Sequence, residues 1–235
     1  MEEKARILEV YRKRDLRSQP HFFAYEDLAH LFRIHERHRR TLLLLRNAGY
    51  IQLSDLKILD VGCGDGNLLR QFIQWGAKTG NLAGIELRAE PADYARSLIP
   101  QLDIRCGSAD VLPWPDESFD VVCQHTVFTS ILDPRLRIQI AAEMQRVLKD
   151  GGAILWYDFI YDNPRNPDVR GIGRKEIQDL FPELEINLQK ITLAPPIARK
   201  IPEKLLSLLY PLLAMFPWLR THYLGLLSKR QAGDT

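Results

Sequence analysis

The chain has 235 residues, 46% hydrophobic and 26% charged, with a net charge of +2, an ordinary globular balance that fits one α/β domain with a substantial core. Three cysteines (Cys63, Cys106 and Cys123) are odd in number and form no C-x-x-C; this argues against a disulfide frame or a zinc site and reads as reduced, buried thiols. The first fifteen residues, MEEKARILEVYRKRD, are charged throughout, so no secretory leader is read and a cytoplasmic protein is expected.

The small net charge hides an asymmetry. Residues 1–46 hold 11 Lys/Arg against 7 Asp/Glu, residues 197–235 hold 6 against 2, and the middle holds 15 against 21. Solvated helix faces account for basic ends; so does contact with an anionic substrate or an anionic lipid surface.

Along the chain, residues 2–17 read as a helix with Ile7, Leu8 and Tyr11 on one face, broken by Gln19-Pro20. A second helix is expected over roughly 24–48, ending at Gly49. Four of six histidines (His21, His30, His35 and His38) fall in this part, none at metal-ligand spacing with a Cys or carboxylate. Lys57 to Leu69, KILDVGCGDGNLL, then reads as buried strand (Ile58–Val61), glycine turn (Gly62, Gly64, Gly66) and helix (Leu68, Leu69, Phe72, Ile73). Glycines let backbone approach a ligand closely, and the new helix points free N–H groups into the same space.

Alternation continues. Strands are expected at 81–86, 102–106, 118–124 and 153–159, with helices at 92–99 and from Asp133-Pro134 to Leu148, and a turn at 149–152. Such alternation implies a parallel sheet covered on both faces, with ligands at the strands' C-terminal edge where the strand order reverses. A Pro/Gly-rich loop, YDNPRNPDVRGIG (161–173), leads to a short helix at 174–180 and a strand at 183–193. Residues 220–228 are expected as a last strand, with 195–218 as an apolar helical insertion before it. Pro211 and Pro217 interrupt that insertion and it is short for a membrane span. It reads as a core helix pair, a lid over an apolar substrate, or a peripheral membrane patch.

The glycine string is not a dinucleotide fingerprint, because its third glycine comes one residue early, and no G-K-[ST] marks a triphosphate loop. D-V-G-C-G-D-G resembles motif I of the class I S-adenosylmethionine-dependent methyltransferases. The block GSADVLPWPDESFDVV (107–122) resembles the small-molecule, type 11-like members, and EMQRVLKDGGAILWYDF resembles the turn before their fifth strand, with Asp150 in place of the usual proline. The resemblance covers residues 50–160 firmly and the ends loosely.

It implies a Rossmann-like, doubly wound, mostly parallel seven-stranded sheet with an antiparallel last strand. The whole of 1–235 is then one domain: a helical cap (1–49), a cofactor-binding core (50–160), and a substrate loop, last hairpin and apolar insertion (161–235). S-adenosyl-L-methionine is the implied cofactor. Asp60 is placed near its ammonium, with Gly62, Cys63 and Gly64 packed against it. Glu86 and Leu87 take the ribose side. Ala109, Asp110 and Val111 surround the adenine, with Asp110 on the amino group, and Gln124 and His125 flank the methionine end. Tyr11 is a further candidate contact. Where many members carry a histidine this chain has Ser130, so His125 is the candidate general base, with Tyr157 and Asp158 as alternatives and a neutral packed imidazole as its other role. No metal site is expected.

Asn163, Arg165, Asn166 and Arg170 in the loop suit an anionic acceptor, and the apolar insertion suits a greasy one. The acceptor is expected to be a small molecule, methylated on a hydroxyl of a glycan, a lipid-linked compound or a secondary metabolite. Carbon or nitrogen methylation of a quinone-like ring, or cofactor binding without transfer, are the alternatives. No Asn-Pro-Pro-Tyr motif or basic groove interleaved with aromatics is present, so nucleic acid is not expected as substrate.

Overall fold

A computed structural model describes residues 2–17 and 27–229. Helix α1 (Glu2–Arg17) opens on two acidic residues, which favour a helix N-terminus. Its Ile7 is buried and Tyr11 packs against the same core, whereas Leu8 is 40% exposed. Leu8 therefore leaves the expected inward face. Helix α2 (Leu28–Asn47) starts at Asp27, whose carboxylate accepts the His30 amide at 2.9 Å. The expected start at 24, the Gln19-Pro20 break and His21 lie outside the described residues.

Seven strands make one sheet: β1 (Ile58–Val61), β2 (Leu82–Glu86), β3 (Asp103–Cys106), β4 (Phe119–His125), β5 (Leu148–Phe159), β6 (Leu184–Leu193) and β7 (Arg220–Lys229). The order is β3-β2-β1-β4-β5-β7-β6, parallel from β3 to β5 and antiparallel at β7. This is the doubly wound, Rossmann-like sheet expected. The order reverses between β1 and β4, whose Asp60 and Cys123 are in register.

Alternate residues of these strands feed two cores. Leu59, Val61, Val122 and Trp156 face a cluster with Phe128, Met144 and Phe181; Ile58, Cys123, Leu155 and Tyr157 face one with Leu45, Phe72 and Ala95. The intervening helices are α3 (Asn67–Gln74), α4 (Ala89–Leu98), α5 (Pro134–Arg146) and α6 (Arg174–Leu180). Helix α4 starts three residues before its expected position, because Pro91 falls in its first turn, where a missing N–H costs nothing. Helix α5 ends at Arg146, and the expected turn at 149–152 is absorbed into β5, where the pairing with β4 shifts register between Phe119 and Val121. Cys63 and Cys123 are buried, but Cys106, the last residue of β3, is exposed, contrary to the expectation for all three.

Between β6 and β7 the insertion folds as α7 (Pro195–Ala198) and α8 (Glu203–Leu213). Leu206, Tyr210 and Ala214 pack with Ala29 and Phe32 of α2. Among the described residues no helix is long and apolar enough to cross a membrane.

Candidate active site

The site begins at the turn after β1. Gly62 has φ +71°, and a Cβ there would meet Val127 Cγ2 at 2.6 Å, so both conformation and space require glycine. Gly64 has φ +53° and open space above it, and its amide donates to Glu86 Oε2 at 2.9 Å. The other oxygen of Glu86 accepts the Arg88 amide at 3.0 Å and the Arg88 guanidinium at 3.1 Å. Arg88 in turn lies 4.3 Å from the centre of the Tyr11 ring and bonds Asp15 at 3.2 Å, which ties α1 to the strand ends.

Helix α1 is fixed at its other end too. Glu3 accepts the Leu132 amide at 2.6 Å, Arg6 donates to the Ser130 carbonyl at 2.7 Å, and Lys4 pairs with Asp110 at 2.6 Å. The face carrying Lys4, Ile7 and Tyr11 thus closes over the C-terminal edge of the sheet. Beneath it lies a cavity of about 180 Å³, lined by Gly62, Gly64, Glu86, Leu87, Arg88, Ser108, Ala109, His125 and Val127, with Ile131, Leu136 and Ile140 as an apolar wall. A second cavity of about 190 Å³ shares Tyr11, Thr126 and Ser130 with the first and extends to Phe159, Tyr161, Asn163, Asn166 and Arg170. At their junction Tyr11 Oη and Ser130 Oγ are 3.3 Å apart.

Residues 59–156 match the family model described as a methyltransferase domain. Over that stretch, which is less than half of the chain, the sequence is similar to a methyltransferase domain. It is 33% identical over 116 residues to an uncharacterized methyltransferase of Schizosaccharomyces pombe, covering 45% of this chain and 40% of the relative. It is 37% identical over 119 residues to phthiotriol/phenolphthiotriol dimycocerosates methyltransferase 1 of Mycobacterium ulcerans, covering 48% and 41%. The matched stretches thus span less than half of those relatives. In fold it is similar to the crystal structure of a SAM-dependent methyltransferase from Methanosarcina mazei, with a TM-score of 0.57 at 18% identity over 79% of this chain and 98% of that one. S-adenosylmethionine is the methyl donor that this methyltransferase family implies.

Of the methyltransferase residues expected from sequence, Gly62, Gly64, Glu86, Leu87, Ala109 and His125 line the first cavity. Asp60 does not. It is buried below the glycine turn, where desolvation, with the Glu86 charge adding to it, pushes its carboxyl well above the usual range. Cys63 turns its thiol inward against Gly84, and burial raises that thiol's pKa. Asp110 lies behind Ser108 and Ala109, and its Oδ1 is buried without a hydrogen-bond partner. Val111 is 74% exposed, and its amide donates to the Ser108 carbonyl at 3.3 Å. Gln124 is fully buried and accepts the Val127 amide at 3.2 Å, so it shapes the turn after β4 from below.

His125 ends β4 with its Nε2 buried and unpartnered. Its ring lies 5.3 Å from that of Tyr157. Burial, helped by the nearby Arg37 and His38, pushes its imidazole well below the ordinary value, so the ring is neutral. The two alternative bases are engaged elsewhere. Tyr157 Oη lies 3.1 Å from Thr192 Oγ1 and its ring stacks on His222 at 4.7 Å. Asp158 accepts the Thr129 hydroxyl at 2.6 Å and the Thr129 amide at 3.2 Å, and burial pushes its carboxyl up to about 6.

Several lining residues were missed from sequence, among them the apolar wall of Ile131, Leu136 and Ile140. Lys4 and Ile7 come from a helix with no motif, and Thr126 carries φ +58°, an uncommon conformation for threonine. Arg88 alone had a local signal, two residues after the strand-ending Glu86. In the loop, Asn163, Asn166 and Arg170 reach the second cavity and Arg165 does not.

Proposed function

We propose that this chain transfers the methyl group of S-adenosylmethionine to a hydroxyl of a small molecule. The observation that carries this reading is the pair of adjoining cavities at the β1–β4 reversal, which meet at Tyr11, Thr126 and Ser130 and suit a donor and an acceptor held side by side. The residues fit the donor. Glu86 is a buried carboxylate at the cavity floor, placed for a ribose diol. Leu87 and Ala109 line the wall beside which an adenine ring would lie, while Asp110, outside the lining and paired with Lys4, reaches an adenine amino group only if Lys4 yields. The Gly62–Gly64 backbone leaves room for the methionine end. Asp60, standing behind that turn, is a buried acid whose ionisation a nearby ammonium favours.

When bound, the donor supplies a methyl group on a positive sulfonium. The chain's contribution is position and exclusion of water. Ile131, Leu136 and Ile140 make a dry wall, which favours a displacement that loses charge as sulfur becomes neutral. Arg170, Asn163 and Asn166 offer the acceptor donors and acceptors around a polar cavity. His125 lines the first cavity as a neutral imidazole, and its Nε2 is buried, so a role as hydrogen-bond acceptor for the hydroxyl requires the ring to turn toward the junction with the second cavity. The relative named for phthiotriol dimycocerosates supports a small-molecule acceptor.

Methylation at carbon or nitrogen is the second reading, and the depressed basicity of His125 favours it, because such acceptors need no strong base. Calorimetry with S-adenosylhomocysteine, followed by transfer of labelled methyl groups to hydroxylated and aromatic acceptors, tests both. Saturable binding and labelling of a hydroxyl, lost in His125→Ala, support the first. Labelling of a ring atom with His125→Ala fully active supports the second. Absence of cofactor binding overturns the whole.

A further inference from the structure

Away from these cavities, α2 and α8 enclose a cleft of about 330 Å³. Arg39, Arg40 and Arg220 line it, with Glu36 the single acid, over the rings of Phe32 and Tyr210. Glu36 is occupied by the Tyr210 hydroxyl, which donates to it at 2.8 Å. Arg220 is held in place by the backbone carbonyls of Ala214 and Lys190, and Arg40 keeps a buried Nε without a partner. Among the described residues no carboxylate forms an ion pair with any of the three arginines. Among the described residues the cleft thus sets three guanidiniums against one carboxylate, an electropositive pocket.

Its α8 border is apolar where a surface helix is usually polar. Leu206 and Tyr210 face the core, yet Leu208, Leu212 and Met215, spaced at helical intervals, are 65%, 50% and 68% exposed, and Trp218 is 71% exposed. Lys204 stands one turn before Leu208 on the same stripe. On the α2 side Leu43, one turn beyond Arg39 and Arg40, is 48% exposed.

A second copy is a poor cover for this face, because a two-fold contact would set arginine clefts against each other. A neutral apolar partner would leave the arginines buried and unpaired. What matches fixed cations beside an apolar, tryptophan-tipped stripe is the headgroup layer of an anionic membrane. We propose that the α2–α8 face docks on an anionic lipid bilayer, with headgroup phosphates in the arginine cleft and Leu208, Leu212, Met215 and Trp218 in the interface. The helix then lies along the surface rather than through it, in keeping with its eleven residues.

The test is flotation of the full chain with phosphatidylcholine vesicles and with equimolar phosphatidylcholine–phosphatidylglycerol vesicles, reading Trp218 emission in parallel. Binding is expected to the anionic vesicles alone, to weaken as salt rises, and to shift the emission to the blue, a shift absent in Trp218→Ala. Arg39→Ala with Arg40→Ala is expected to weaken vesicle affinity roughly tenfold or more, leaving S-adenosylhomocysteine affinity unchanged. Leu208→Ser is expected to reduce the blue shift. No vesicle binding, or equal binding to neutral vesicles, overturns the proposal. So does thermal protection by inorganic phosphate without vesicle binding, which marks a small-anion site. Self-association that Met215→Ser abolishes overturns it in favour of a second copy. Docking is read without methyl transfer, so its failure leaves the enzymatic reading intact.

Discussion

The carboxylate of Glu86 accepts the amide of Gly64 at 2.9 Å across the gap between β2 and the turn after β1. One oxygen is thus committed to holding the turn and the other to Arg88. A ligand at this edge meets a carboxylate already oriented by the backbone it serves, which lowers the entropic cost of binding. Glu86→Ala is expected to weaken S-adenosylhomocysteine about tenfold to a hundredfold, the loss of hydrogen bonds to a charged group. Glu86→Gln, keeping one acceptor, is expected to fall between. Titration calorimetry checks this, and unchanged affinity in Glu86→Ala removes the ribose assignment.

Gly62 gives a prediction with two separable parts. In Gly62→Ala the new Cβ collides with Val127 Cγ2 and the residue keeps a left-handed backbone. A loss of about 1–3 kcal/mol is expected. Adding Val127→Ala is expected to relieve the collision but not the backbone strain. Urea unfolding of the single and double variants reads both, and full recovery in the double variant shows that strain plays no part.

Asp158 sets a pH dependence. Burial raises its carboxyl to about 6 in the folded chain, against about 3.9 when unfolded. The folded state therefore binds this proton more tightly, and the stability it adds below pH 4 is lost as pH rises through 6, roughly 3 kcal/mol in all. Asp158→Asn, which does not titrate, is expected to show a shallower fall in unfolding midpoint between pH 4 and 7. Parallel slopes in the two proteins contradict the assignment.

Arg137 is wholly buried, pairs with Glu176, and donates to the carbonyls of Ile131 and Arg170. It joins α5 and α6 to the loop at the second cavity. Arg137→Met is expected to cost about 1–3 kcal/mol by leaving the Ile131 and Arg170 carbonyls without their donor, Glu176 keeping its pair with Arg170, and Arg137→Lys to rescue little, because the fork is lost. Thermal melting reads the first effect. Faster tryptic cleavage within 161–173 reads the second, and protection equal to the parent chain argues against an anchoring role.

Much of this architecture was legible in the sequence, for identifiable reasons. Buried parallel strands leave unbroken apolar runs, so β1, β2 and β4 were placed within about a residue or two, and the glycine turn and Glu86 carry local chemistry that spacing reveals. What was not legible depends on meetings between distant residues. The Lys4–Asp110 pair joins positions 106 apart, and amphipathic spacing gives α1 a face without saying what it covers. The inward turn of Cys63 follows from the bare backbone of Gly84 on the neighbouring strand, which no local pattern encodes. The depressed basicity of His125 arises from burial and from Arg37 of α2, a helix placed by tertiary packing alone.

The stretch matched by the family, 59–156, excludes α1, yet α1 supplies Lys4, Ile7 and Tyr11 to the first cavity and Tyr11 to both. The family-matched stretch and the front panel of the pocket are therefore encoded in separate parts of the chain. Grafting a different amino-terminal helix onto the same sheet would redraw the outline presented to an incoming molecule while sparing the Glu86 clasp, a modular route by which one scaffold can acquire new clients.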